Sequence, residues 1–515
     1  MSRVLLAGVM CASLAACGGK VVFDPDGDGG AGGFAGQGGV GEGGVGMGLA
    51  PPDTSTSTGT GMGGMPGDIL DQLNAIPGMN LYEESSQFDG YRWFVGSFEQ
   101  PADHDDPDGL KFPQQIYILH KDTSRPMVLN STGYALWGED YPSEPTLIAD
   151  ANQISVEHRF FPPSRPEPAD WQLLTIEQAA ADHHSLVEAL KPIYDKNWLS
   201  TGASKGGMTS MYHRRFYPTD IDGTIPYVAP LSYGVNDPRY IDFLDNVGTA
   251  TCRDALIAFQ IEVLSRRATM IPLVEQTGAN FGYWNADAAL DFAVGNVRFG
   301  LWQYADPSVC DDVPPTTASD EQLFSFLESI SAVEGSDDYY LDFFEPYYFQ
   351  AALQLGAPGS DESYMAPFLS VPLGLGPADF VQPGPTKETV FQPSSMPDIQ
   401  SFTLASGSEL LFVYGEVDPW SAAMFEVSGA NDTYAFIAPG MNHGAGIYGL
   451  PSDEQAVAID AILRWAGESE GTPPNPSPAS IELARVARLI DSSPSPARRA
   501  KLGERARELT RELRQ

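Results

Sequence analysis

Asn197-Trp198-Leu199-Ser200-Thr201-Gly202-Ala203-Ser204-Lys205-Gly206-Gly207-Met208 combines a short apolar run, a Gly-x-Ser-x-Gly core and the start of a helical segment, 208–217. A serine on a tight turn between strand and helix takes a strained backbone. Only small residues two positions to either side, here Gly202 and Gly206, let neighbouring chain pass that close. The first N–H groups of the following helix then point at Ser204, so negative charge developing on a bound oxygen meets a partial positive end. In a chain with 53 glycines the motif alone arises easily by chance. The flanking strand and helix carry the reading.

Outward from this turn the chain alternates strand and helix. Runs rich in β-formers occupy 114–120, 127–130, 154–160, 223–228, 410–414 and 434–437. Thr175-Ile176-Glu177-Gln178 has the form of a capping box before a helical pattern over 176–190, and Ser452-Asp453-Glu454-Gln455 has it before 456–465. Strand, helix, strand around a serine turn predicts an α/β protein with a doubly wound, mostly parallel sheet, the α/β-hydrolase fold. Between residues 236 and 392 apolar positions recur at helical spacing and strand-like runs largely vanish, which predicts a helical cap inserted into the sheet domain. Its aromatic run, 339–349, fits either a pocket wall or the packed core of the cap. The predicted core is therefore split into 66–235 and 393–467.

The ends differ in composition. Arg3, the apolar stretch 4–10 and Leu14-Ala15-Ala16-Cys17 form a leader that resembles a bacterial lipoprotein signal over residues 1–17, with Cys17 as the lipidated residue. An ordinary secretory signal is the other reading, and either implies export. Residues 18–65 are a Gly-rich flexible linker. Residues 468–515 are a Pro-rich linker and a basic helical tail, which would fold back on the acidic body, touch lipid headgroups or stand solvated. With 29 Lys and Arg against 68 Asp and Glu, the net charge of −39 argues against nucleic acid and against anionic membrane surfaces, so membrane contact is expected only through the N-terminal lipid. Of four cysteines, Cys11 leaves with the leader and Cys17 takes lipid; Cys252 and Cys310 remain and are expected to pair in an exported chain. No spacing suggests a metal site, and no cofactor is expected.

A serine nucleophile needs a base and a group to orient it, in the chain order Ser, acid, His for this fold. Among seven histidines only His443 lies beyond residue 236, directly after the last strand-like run. Its acid belongs after the preceding run, which offers Asp418 and, as competitor, Glu416; the Pro419 turn favours Asp418. The expected oxyanion donors are the backbone N–H of Lys205 and that of Tyr134, in the glycine-containing loop 131–134. The Lys205 side chain is expected to be solvated.

Four segments, Thr201-Gly202-Ala203-Ser204-Lys205-Gly206-Gly207-Met208-Thr209, Tyr212-His213-Arg214-Arg215-Phe216-Tyr217-Pro218, Glu157-His158-Arg159-Phe160-Phe161 and Gly415-Glu416-Val417-Asp418-Pro419-Trp420-Ser421, together resemble the secreted bacterial prolyl tripeptidyl aminopeptidases, the thirty-seventh serine-peptidase family. More distantly they resemble the prolyl carboxypeptidase and dipeptidyl peptidase group. The resemblance runs from about residue 82 to 465. It implies a triad of Ser204, Asp418 and His443 and release of tripeptides from free N-termini after proline through an acyl-enzyme, without saying anything of the oligomeric state. An enzyme of that kind needs a carboxylate for the substrate amine, for which Glu157 is the candidate, an ion pair with Arg159 or another buried arginine being its other reading. A carboxylester hydrolase on the same triad, a carboxypeptidase, and a surface binding protein with an inactive serine are the alternatives.

Overall fold

The computed structural model describes residues 67–137, 141–468, 477–492 and 496–513. The leader, its Cys17 and the Gly-rich linker lie outside the described residues. No helix among the described residues is long and apolar enough to cross a membrane.

Among the described residues nine strands form one sheet: β1 (Met79–Glu84), β2 (Arg92–Pro101), β3 (Lys111–His120), β4 (Met127–Ser131), β5 (Asn152–Val156), β6 (Trp198–Ala203), β7 (Gly223–Tyr227), β8 (Leu410–Gly415) and β9 (Thr433–Ala438). Their order is β1-β2-β3-β5-β4-β6-β7-β8-β9. Pairings from β1 through β3 to β5 are antiparallel and all others parallel. β6, β7 and β8 are buried at every residue, because helices cover both faces of a parallel sheet and leave continuous apolar runs. β1 and β2, which the sequence reading does not include, are only partly buried: β1 buries Met79 and Leu81, and β2 buries Phe94, Val95, Phe98 and Gln100.

The helix Ile176–Leu190 buries Ile176, Ala179, Ala180, Leu186, Val187 and Leu190, the spacing of one helical face. Thr175 Oγ1 accepts the Gln178 N–H at 3.2 Å. The expected box is only half formed: Gln178 instead accepts the His104 N–H at 2.9 Å and donates to Asp103 at 2.8 Å. The last core helix starts one turn early, at Ser452, with Pro451 as its cap and no side-chain capping bond.

Between β7 and β8 the described chain is helical, in pieces that include Arg239–Asn246, Ala250–Ser265, Arg267–Gln276, Ala286–Gly295, Val297–Tyr304, Asp320–Ile330 and Asp338–Gln350. Most of these helices share a core of their own around Leu256, Phe259, Leu290, Leu301, Trp302 and Leu327. A Cys252–Cys310 disulfide ties the second of them to the turn Pro307–Asp312. The C-terminal helices Pro478–Ser492 and Pro496–Leu513 fold back on the body, burying Leu483, Val486, Ile490, Ala506 and Leu509 with Phe88, Trp137 and Tyr141 beside them.

Candidate active site

The strand order reverses where β4 lies between β5 and β6, and crevices beyond the C-terminal ends of strands at such a switch point are where this class of sheet binds ligands. The loops after β4 and β6 meet there. Ser204 caps the helix Lys205–Phe216 with φ 56° and ψ −124°, a left-handed conformation that costs a non-glycine residue on the order of 1–3 kcal/mol. A Cβ on Gly206 would strike the Ser131 carbonyl and one on Gly133 would strike the Gly206 nitrogen, so these glycines let the two loops touch.

Asp418 begins the turn after β8 and His443 follows β9. Both are fully buried, and His443 Nδ1 lies 2.7 Å from Asp418 Oδ2. A carboxylate only accepts, so the proton sits on Nδ1 and Nε2 is left as the basic nitrogen. That Nε2 is buried and meets no hydrogen-bond partner among the described residues. Asp418 also accepts the Trp420 N–H at 3.2 Å. The competing acid, Glu416, is exposed and accepts the Gly440 N–H at 2.7 Å, away from the imidazole. Other histidines have other partners: His158 with Tyr212, His120 with Tyr194, His104 with Asp182, and His184 and His213 with Asp220.

Ser204 Oγ makes no hydrogen bond to His443 Nε2 in this structure; its hydroxyl stands beside the Tyr134 phenol, whose ionised form it favours while burial pushes the phenol pKa up. Catalytic contacts of this kind commonly tighten only when substrate binds. Trp420 joins the two halves, since it lines the cavity at Ser204 and its ring centroid is 6.4 Å from that of His443. The other lining residues include Tyr134, Met208, Pro230, Tyr347 and Leu355. The cavity has a volume of about 10 Å³, room for roughly one water molecule.

Three expectations need correction. The Tyr134 N–H is turned into its own loop, 3.3 Å from Thr132 Oγ1, and it is the phenol of Tyr134 that reaches the cavity. The Lys205 side chain is buried, not solvated: Nζ donates to the Gly133 carbonyl at 2.7 Å, and burial holds its pKa well below the usual lysine value. Its backbone N–H, in the first turn of the helix, has no acceptor within that helix. Glu157 is fully buried as well. One carboxylate oxygen accepts the Leu136 N–H at 2.8 Å, and the other accepts the Ser164 N–H at 3.1 Å and the Ser164 hydroxyl at 2.7 Å. It ties the loops beside the site together and is closed to a substrate amine. Nor does it pair with Arg159, whose partner is Asp182 with two contacts of 2.7 Å.

Among the described residues the metal-capable group is His184, Glu188 and Asp220, with ligand atoms within 4.8 Å of one another. Asp220 Oδ2 already accepts from His184 Nδ1 at 2.8 Å and His213 Nε2 at 3.1 Å, so hydrogen bonding accounts for the cluster.

Residues 65–498 match the family model of the PS-10 peptidases, S37. A prolyl tri/tetrapeptidyl aminopeptidase of Streptomyces mobaraensis is 43% identical over 409 residues, covering 78% of this chain and 85% of that relative. Among solved structures, a proline iminopeptidase of Mycobacterium smegmatis aligns at 12% identity and a TM-score of 0.34, covering 73% of this chain and 100% of that one. A yeast peroxisomal α/β-hydrolase, from Saccharomyces cerevisiae, aligns at 8% and 0.31, covering 82% and 98%. With an elbow serine, a buried imidazole held by a carboxylate and this match over most of its length, the chain belongs to the S37 family of serine peptidases.

Proposed function

We propose that Ser204, Asp418 and His443 act together to cleave peptides after proline and release tri- or tetrapeptides from free N-termini. The observation that carries the chemistry is the buried His443–Asp418 pair, with Nε2 left as a base that has no partner among the described residues. His443 takes the Ser204 proton as Oγ attacks the carbonyl carbon, Asp418 stabilises the imidazolium, His443 returns the proton to the leaving amine, and water then hydrolyses the acyl-enzyme. The Lys205 N–H and the Tyr134 phenol supply the oxyanion donors.

The specificity rests on the relative's activity and on the cavity walls. Proline has no N–H, so its pocket needs ring packing and no backbone acceptor. Tyr134, Tyr347, Trp420 and Pro230 offer such faces. Digestion of a peptide set with proline at positions two to five, followed by mass spectrometry, tests this reading. Free peptides should lose three or four residues ending in proline, and acetylated ones should be cut far more slowly. Release of single residues beyond proline from the C-terminus, or indifference to proline, would overturn it.

We further propose that the chain is exported and lipid-anchored through Cys17. Labelled fatty acid should be incorporated in a bacterial host and lost with Cys17→Ser.

A further inference from the structure

The loop that carries His443 is rich in glycine, with Gly444, Gly446 and Gly449 close behind the histidine. Such a segment has little conformational preference of its own, yet it must hold an imidazole in register with Asp418. On one side the cap holds it: the His443 N–H donates to the Gln303 carbonyl at 3.0 Å, Asn442 donates to the Ala305 carbonyl at 3.1 Å, and the Tyr304 ring stands edge-on to His443 at 6.0 Å. On the other side the C-terminal hairpin holds it. Arg488, buried on the helix Pro478–Ser492, lies 3.4 Å from Glu144 and 3.5 Å from the Gly444 carbonyl, with its guanidinium 4.8 Å above the Tyr227 ring. The Glu144 carboxylate, also buried, accepts the Ile447 N–H at 3.0 Å and the Tyr448 N–H at 3.5 Å. Gly446 passes between the pair. A Cβ there would collide with Arg488 Nη2 and come within 2.8 Å of Glu144 Oε1. The second helix of the hairpin adds Arg498, whose guanidinium sits 4.4 Å over the Tyr304 ring that abuts His443.

We infer that Arg488 is a positioning residue for catalysis: with Glu144 it clamps the loop 443–448 from outside the sheet domain and fixes His443 against Asp418. The C-terminal hairpin is thereby a working part of the active site. The inference rests on the reading of His443 as the catalytic base. A small misplacement of such a group costs up to about 100-fold in rate, and the loss falls on kcat because Arg488 does not line the cavity at Ser204.

The test uses the full-length enzyme and a free proline-containing peptide. Arg488→Gln should lower kcat about 10- to 100-fold with KM within about twofold of wild type. Arg488→Lys should recover a large part of the loss, since it keeps the charge opposite Glu144. Because the two residues act as one clamp, Glu144→Gln combined with Arg488→Gln should cost no more than the worse single change. The low-field proton resonance of the His443 Nδ1–H should broaden or shift in Arg488→Gln, a change that loosened hairpin packing alone would not produce. Folding is checked by circular dichroism, and Leu483→Ala, a packing change in the same helix, should lower the melting temperature while kcat stays near wild type. A folded Arg488→Gln enzyme with normal kcat and an unaltered resonance overturns the inference, as does a loss that Lys fails to recover and Leu483→Ala reproduces. His443→Ala separates the two readings: activity retained there removes the catalytic assignment itself, whereas an inactive His443→Ala beside a normal Arg488→Gln removes only the clamp.

Discussion

Lys205 Nζ, wholly buried, donates a 2.7 Å hydrogen bond to the carbonyl oxygen of Gly133. Lys205 follows Ser204, and Gly133 precedes the tyrosine whose phenol stands beside that serine. The bond therefore joins the loops after β6 and β4. No carboxylate lies within ion-pair distance of Nζ among the described residues; its surroundings are the Tyr134 and Phe161 rings, centred 5.8 and 5.9 Å away.

Lys205→Met keeps most of the stem packing but leaves the Gly133 carbonyl buried without its donor, a cost of about 1–3 kcal/mol. Urea denaturation should show that loss. Since the Gly133–Tyr134 peptide sets where the phenol sits, kcat should also fall while KM changes less. Unchanged stability and kcat would mean that the bond is dispensable.

Ser204→Ala and His443→Ala should each remove nearly all turnover, because the members of such a unit cannot be lost one at a time without losing the whole. Asp418→Asn should cost about 10⁴-fold in kcat by favouring the wrong imidazole tautomer. Melting curves should stay close to wild type for Ser204→Ala. Wild-type kcat in Asp418→Asn with strong loss in a Glu416→Gln enzyme would transfer the acid's role to Glu416.

The elbow and the Asp418–His443 pair are legible in the sequence because both obey local rules: Ser204 needs small neighbours, and Asp418 and His443 each lie in a loop directly after a late strand, β8 buried throughout and β9 only in part. What could not be read was the direction of side chains whose partners lie far along the chain. Asp182, on the interior face of the helix Ile176–Leu190, claims Arg159, and nothing near Glu157 in sequence announces that. β5 ends at Val156, not at residue 160, so Glu157 turns inward to Leu136 and Ser164. β1 and β2 lack both a clean alternation and a continuous apolar run, so neither strand pattern marks them. Lysine is so seldom buried that the residue type of Lys205 by itself points to solvent.

Burial pushes the Glu157 carboxyl up to about 8, against the pull of the Leu136 and Ser164 donors. The unfolded chain has its carboxyl near 4.5, so between that pH and about 8 the native state holds the extra proton. Stability from this group is fully present below about 4.5 and is lost as pH rises through about 8. Glu157→Gln removes the titration. The melting temperature of wild type relative to Glu157→Gln should therefore fall as pH is raised from 5 to 9. A constant difference across that range would show that Glu157 stays ionised.

Cys252 and Cys310, 58 residues apart, close a loop around much of the cap core. In the chain-entropy account a bridge of this span stabilises by roughly 4 kcal/mol. The double change Cys252→Ala, Cys310→Ala should lower the melting temperature of the oxidised protein and abolish the effect of reductant. Two titratable thiols in unreduced, native protein would show that the bridge does not form.

Tyr347 is the lining residue through which substrate choice is most open to test, because it comes from the cap helix Asp338–Gln350 and faces Tyr134 with ring centroids 5.9 Å apart. The cavity at Ser204 is narrow, about 10 Å³, room for roughly one water molecule, and Tyr347 forms part of its wall. An apolar pocket discriminates by fit, and one methylene more or less is worth about 10- to 200-fold. Tyr347→Ala should enlarge the pocket and lower the ratio of kcat/KM between a peptide with proline before the cleaved bond and its alanine counterpart by at least tenfold. The loss should come mainly from the proline peptide, which no longer finds a ring to pack on. Trp420→Phe, which keeps an aromatic face beside His443, should change that ratio less. If Tyr347→Ala leaves the ratio unchanged while lowering both rates equally, the cap helix closes the site without selecting for proline, and selection belongs to the Met208, Pro230 and Leu355 side of the cavity.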